Sequence, residues 1–224
     1  MATLPAEAAA LPEDPIPYLQ RTRDYYQALG YGQAYQWARC EQVPFQPLAK
    51  PLAQSRIALI TTAAPYQPGK GDQGPGAPYN AAAKFYAVYS GPSDGDPDLR
   101  IAHVAIDRRH TTAADIGSYF PLAALRQAVA AGHVGGLTAR FHGAPTNRSQ
   151  RVTLEVDGPE IVARCRADGA DAAILVANCP VCHQTLALVA RLLEAAGIAS
   201  VVMGCARDIV EQVIQPAQTR TGTR

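Results

Sequence analysis

Asp171-Ala-Ala-Ile-Leu-Val-Ala-Asn-Cys-Pro-Val-Cys-His-Gln-Thr-Leu186 decides how this chain is read. Residues 172–177 are an uncharged apolar run, the pattern of a strand buried on both faces. Asn178 and Cys179 end it, and Pro180 falls where proline is tolerated, at the first position of a helix. Apolar side chains then recur at Leu186, Val189, Ala190 and Leu193 with helical spacing, until Gly197 stops the helix. Cys179 is therefore expected at the helix N-cap and Cys182 one turn in. Unpaired N–H groups and the positive end of the helix dipole favour a thiolate there. The short offset also brings two sulfurs within reach of each other. Cys179 reads as the attacking thiolate, most accessible from a cleft, and Cys182 as the buried thiol that resolves its adduct. His183 reads as an acceptor or relay of the proton, its ordinary pKa lying near 6.5.

Strand and helix alternate along the chain around this turn. Ile57–Thr62 reads as a first buried strand, Arg100–Ile106 as a second and Gly135–Phe141 as a third. Pro121–Ala131 suits a helix. Asp157 and Glu160 resemble a capping box that opens a helix to Asp168. Ser200–Met203 is a last strand, followed by a short helix to Ile214. The expected fold is α/β, a doubly wound, mainly parallel sheet of about five strands. The expected organisation is a helical N-terminal arm with a Pro-rich linker over 1–56, an α/β redox domain over 57–214 and a polar tail over 215–224. Residues 1–13 read as frayed and residues 14–41 as helical, with a break near Gly30 and Gly32. Tyr18, Tyr25, Tyr26, Tyr31, Tyr35 and Trp37 give this arm an aromatic face, which packs onto its own domain or onto a partner subunit.

The chain has 224 residues, 48% of them hydrophobic, enough for a sizeable core. A net charge of +1 gives no reason to expect nucleic acid or an anionic membrane as partner. No run of about 18 apolar residues suggests a membrane span, and no basic-then-apolar leader opens the sequence. A cytoplasmic location is expected, where five cysteines do not suggest a structural disulfide framework. Gly69, Gly71 and Gly74 match G-x-G-x-x-G, but Pro75 and Pro78 prevent a helix from opening behind them. A dinucleotide site needs that helix, so this stretch reads as a lid or surface loop. Asn147-Arg-Ser149 fits a glycosylation sequon by chance.

Ligands in open α/β sheets bind at the C-terminal ends of strands. Thr61 and Thr62 end the first strand, and His103, Asp107, Arg109 and His110 belong to or follow the second. These are the candidate substrate-binding residues, with Arg109 suited to a carboxylate. Cys179-Pro-Val-Cys182-His183 itself admits four readings. Haem attachment uses C-x-x-C-H, but no export signal accompanies it, and Met203, the only methionine besides Met1, lies in an expected strand. Zinc would recruit Cys179, Cys182, His183 or Cys205, yet the second ligand pair of a structural site is missing. Inert apolar filling suits Cys40 and Cys165 better than a turn facing a cleft. The favoured reading is nucleophilic redox chemistry, with an adduct on one thiol resolved by the other and the disulfide reduced by an external dithiol, such as a thioredoxin-like protein. No metal and no cofactor are expected in this chain.

Residues Asp171 to Leu186 resemble the selenocysteine-bearing subunits of glycine/sarcosine/betaine reductase and D-proline reductase, the selenoprotein B-like family. The D-proline reductase subunit is the more similar. The resemblance runs from Ile57 to about Val213 and includes His103 through Asp115, Phe120-Pro-Leu122 and Gly132-His-Val-Gly135. It implies that Cys179 stands at the selenocysteine position and Cys182 at the resolving position. It also implies reductive cleavage of a small amine- or carboxylate-bearing substrate, and a pyruvoyl group on a partner subunit in a homo- or hetero-oligomer. Two departures are evident: sulfur replaces selenium at Cys179, and nothing here resembles a self-processing pyruvoyl site. Competing classes are a cofactor-independent racemase or isomerase, which would need Cys205 or Cys40 opposite Cys179, and a non-catalytic redox-sensing or metal-binding subunit.

Overall fold

A computed structural model describes residues 15–40, 42–101, 103–145 and 147–211. The expected frayed residues 1–13, the polar tail and the end of the last helix lie outside the described residues. The first element among the described residues is helix α1 (Tyr18–Ala28), and a 3-10 turn at Leu52–Gln54 precedes strand β1 (Arg56–Thr61). A short ribbon pairs β2 (Ala64–Pro65) with β4 (Leu99–Arg100), and β3 (Tyr89–Pro92) lies between them in sequence. Helix α2 (Leu122–Ala130) leads to β5 (Gly136–Leu137) and β6 (Arg140–Gly143). The α3 turn (Gln150–Val152) continues through a π-helical stretch, Thr153–Asp157, into α4 (Gly158–Ala167). Then come β7 (Ala172–Val176), α5 (Pro180–Ala195), β8 (Ala199–Met203) and the single turn α6 (Arg207–Ile209).

The main sheet is mixed and mostly parallel, in the order β3-β6-β1-β7-β8, with β5 pairing the start of β1. β1 runs parallel to β7 from Ile57↔Ala172 to Thr61↔Val176. β7 runs parallel to β8 from Ala172↔Ala199 to Val176↔Met203. Among the described residues, only β3 is antiparallel in this sheet, on β6. Each face buries a separate apolar cluster, because alternate side chains of a strand point to opposite faces. Ala58, Ile60, Ala173 and Leu175 pack with Ile161 and Cys165 of α4 and Val189 and Leu193 of α5. Leu59, Phe141 and Val176 pack on the other face with Tyr119, Phe120 and Leu122. α4 and α5 meet closely at Gly158, where a Cβ would lie 2.4 Å from Leu192 Cδ1.

Four local expectations are corrected. The second strand stops at Arg100, because its only partner is β2; beyond it the apolar residues Val104 and Ala105 lie in a turn and pack beside the cysteines. The third strand is split into β5 and β6. The capping box at Asp157 is no helix start: Ser149 caps the helix by accepting the Val152 N–H, and Asp157 has helical dihedrals. Among the described residues of the stretch 14–41 there is one helix rather than two, and residues 29–40 are not helical. β3 carried no strand expectation, since Tyr89-Ser-Gly-Pro92 holds both a glycine and a proline and is an edge strand.

Candidate active site

β7 delivers Cys179 to the N-cap of α5, with extended backbone (φ −129°, ψ 165°) and Pro180 at the first helical position. Cys179 Sγ accepts the Cys182 N–H at 3.4 Å, and the two sulfurs stand 2.8 Å apart. That is within about 0.8 Å of a disulfide bond length. Neither sulfur is in a disulfide, and the two residues are 3% and 0% exposed. Burial, and then the neighbouring Cys182 sulfur, push the Cys179 thiol well above its ordinary pKa, while the N–H groups of Cys182 and Val181 pull it down by less. In this conformation burial therefore disfavours the thiolate that the helix N-terminus alone would favour. Helix-end dipoles contribute only around 1 kcal/mol, less than removing a charge from water costs.

His183 is wholly buried. Its Nδ1–H donates to the Cys179 carbonyl at 2.7 Å, and its Nε2 accepts the Ala206 N–H at 3.2 Å. Burial lowers its pKa, so the ring is neutral with both nitrogens committed to backbone. It straps the Cys179 turn to the loop after β8 through both ring nitrogens. Gly204 makes room for it: a Cβ there would fall 2.3 Å from His183 Cδ2. Among the described residues, no three of His, Cys, Asp and Glu converge on a point where a metal ion would sit.

Cys179 separates two cavities. The smaller, about 30 Å³, is lined by Tyr26, Thr62, Lys84, His103 and Arg148. The larger, about 310 Å³, is lined by Asp107, His110, Asn178, Cys179, His183 and Cys205, among others. Its volume is at the low end for small-molecule sites. Beside Cys179 in that wall, Asn178 is 7% exposed, and neither its amide oxygen nor its amide nitrogen has a hydrogen-bond partner among the described residues. A buried primary amide left unpaired is costly unless a ligand or solvent completes it.

The expected binding residues are divided by the fold. Thr62 and His103 line the small cavity, and Thr62 Oγ1 accepts the Asn178 N–H. Asp107 and His110 line the large one, joined to each other at 2.7 Å. Arg109 lines a third cavity with Arg21 and Pro180. Thr61 turns inward and donates to the Tyr119 carbonyl at 2.8 Å. Asp107 is already engaged: Arg21 donates to both carboxylate oxygens, and Tyr18, His110 and the Arg109 N–H add further bonds. Burial raises its pKa, but these bonds outweigh that and hold it below the usual carboxylate range.

Several site residues escaped sequence reading. Asn178 reads in the sequence only as the polar stop after the apolar run 172–177. Arg148 sat in an apparent chance sequon. Its neighbour Asn147 bonds Asp157, and Arg148 takes a left-handed backbone (φ +64°) that lays its guanidinium over Tyr26 and Tyr31. Lys84 carried no motif; burial, and then Arg148, lower its pKa. Tyr26, 2% exposed, closes the roof over the cysteines from the N-terminal arm.

The site thus sets two thiols in contact at a strand-to-helix turn of a mixed α/β fold. D-proline reductase subunit gamma from Acetoanaerobium sticklandii is 27% identical over 174 residues, 74% of this chain and 66% of that protein. The chain thus spans just under two thirds of the relative's length. That distant similarity suggests a relationship to this reductase family. No family model matches the chain, and no solved structure does. No helix among the described residues is long and apolar enough to cross a membrane.

Proposed function

We propose that this chain is a thiol-based reductase, or the reducing subunit of one, that cleaves a bond in a small amine- or carboxylate-bearing substrate. The 2.8 Å contact between Cys179 Sγ and Cys182 Sγ is the observation that carries this reading. Substrate occupies the larger cavity, where the Asn178 amide offers a paired donor and acceptor. Cys179 Sγ bonds to the substrate carbon as the C–X bond breaks, and its proton leaves on X, so no buried thiolate accumulates. The N–H groups of Val181 and Cys182 stabilise the sulfur's developing charge. Cys182 then attacks Cys179 Sγ, forming the disulfide while the former substrate carbon departs with the Cys182 proton. Two thiols have become one disulfide and R–X has become R–H plus HX. An external dithiol restores the pair.

The named relative makes D-proline the first substrate to try. The pyruvoyl group implied by the resemblance would sit on a partner subunit; on this chain the unpaired Asn178 amide suits the substrate portion, and no pyruvoyl-forming residues are assigned. A thiol count tests the pair. Diamide oxidation should remove two of the five thiols, mapped by peptide mass spectrometry to Cys179 and Cys182. Two intact thiols at those positions would sink the reading. The presence of Cys205 on the same cavity as Cys179 favours a second reading, a two-cysteine racemase; exchange of a substrate α-hydrogen for deuterium without added reductant would support it.

A further inference from the structure

The paired sulfurs are buried, whereas Cys205 is exposed and lines the same cavity of about 310 Å³ as Cys179. A protein-sized dithiol cannot enter a space of that size, so a buried Cys179–Cys182 disulfide needs a route to the surface. We infer that Cys205 is a relay thiol, which passes reducing equivalents from an external dithiol protein to the buried pair. This rests on the paired-thiol reading above.

Three features place Cys205 for the task. β7 and β8 are neighbouring parallel strands in register Val176↔Met203, and the Ala177 N–H donates to the Met203 carbonyl at 3.0 Å. Cys179 and Cys205 therefore leave the same sheet edge on adjacent strands, which lie about 4.8 Å apart. The second feature is His183, which ties the Cys179 carbonyl to the Ala206 N–H and so holds the loop of Cys205 beside the Cys179 turn. The third is the unpaired Asn178 amide in the cavity that both cysteines line. That cavity is built to receive a polar occupant, so it opens to the chemistry rather than filling with side chains.

The exchange balances. The Cys205 thiolate attacks Cys179 Sγ, the Cys179–Cys182 bond breaks, and Cys182 leaves and takes a proton. The Cys179–Cys205 disulfide is then attacked at the exposed Cys205 sulfur by one thiolate of the dithiol, which releases Cys179 as a thiol. The second thiol of the reductant attacks the mixed disulfide, frees Cys205 and departs with its partner as an oxidised disulfide. One dithiol is oxidised and one buried disulfide is reduced.

Full-length protein is oxidised with diamide and the Cys179–Cys182 bond confirmed by peptide mapping. Reduction by thioredoxin and by tris(2-carboxyethyl)phosphine is then timed for wild type and Cys205→Ser. Cys205→Ser should be reduced about tenfold or more slowly by thioredoxin and at the wild-type rate by the phosphine. Oxidised Cys182→Ser should accumulate a Cys179–Cys205 disulfide. Equal thioredoxin rates, equal slowing with both reagents, or no Cys179–Cys205 bond in Cys182→Ser would overturn the relay and leave the pair standing. Failure of the wild type to form the Cys179–Cys182 bond would remove the paired-thiol reading itself, and the relay with it.

Discussion

At the scale of single residues, burial and hydrogen bonding set the chemistry more than sequence position does. Cys179 occupies the helix N-cap that favours a thiolate, yet its 3% exposure keeps the thiol protonated. Cys205, also raised by burial but exposed to solvent at the cavity mouth, is the sulfur a reagent meets first. Iodoacetamide at neutral pH should label Cys205 at least about tenfold faster than Cys179, read by peptide mass spectrometry. Cys179 labelled first would show that the turn opens readily. Gly204→Ala tests the support beneath it. The new Cβ would lie 2.3 Å from the His183 ring, so the ring must move and its bonds to Cys179 and Ala206 must weaken. A loss of about 1–3 kcal/mol in unfolding free energy is expected, with faster Cys179 labelling. Unchanged stability and labelling would mean that the loop after β8 yields instead.

Among elements, α1 is the part whose placement sequence left open between its own domain and a partner. It docks on its own chain. Asp107 receives Arg21 and Tyr18 from α1, and Asp208 accepts the Leu19 N–H. Tyr26 then reaches the core beside Cys179 and Cys182. The Asp107 bonds belong to a strut that seats the roof, so that carboxylate has little left to offer a substrate. Asp107→Asn should cost about 1–3 kcal/mol, discounted because Arg21 is 36% exposed. It should also make residues 18–40 more sensitive to limited proteolysis and speed Cys179 alkylation. An arm that stays protected would mean that the packing of Tyr26 and Tyr35 holds it without the ion pair.

For the whole molecule, a buried histidine in the sheet ties stability to acid pH. His142 is fully buried in β6, with Nδ1 2.8 Å from Ser90 Oγ and Nε2 3.4 Å from Asp168 Oδ2. Burial drives its pKa down to about 4, against a smaller upward pull from the Asp168 charge. The unfolded chain takes the proton near pH 6.5, so this stabilisation is complete above that pH, shrinks as pH falls and levels off below about 4. At about 1.4 kcal/mol per pH unit, the full effect is roughly 3 kcal/mol. Urea unfolding of wild type and His142→Gln between pH 4 and 7 checks it: the variant should lose less stability across that window. Parallel losses would show that His142 protonates without unfolding anything.

Sequence alone was sufficient for β1, β7, α5 and the N-cap placement of Cys179, because those features rest on local pattern. A buried parallel strand is a continuous apolar run, and Pro180 and Gly197 punctuate the helix behind it. It was also sufficient to bring Cys179 and Cys182 together, since their separation is one helical turn. Tertiary structure decided what pattern cannot encode. Whether His103–Ile106 continue a strand depends on a partner edge, and β2 supplies only a short one. Whether His183 relays a proton depends on Ala206, far along the chain, which occupies its second nitrogen. Whether Cys179 ionises depends on Tyr26 and the core around it. Desolvation and hydrogen-bond partnership are properties of residues distant in sequence brought side by side, and only the folded chain sets them.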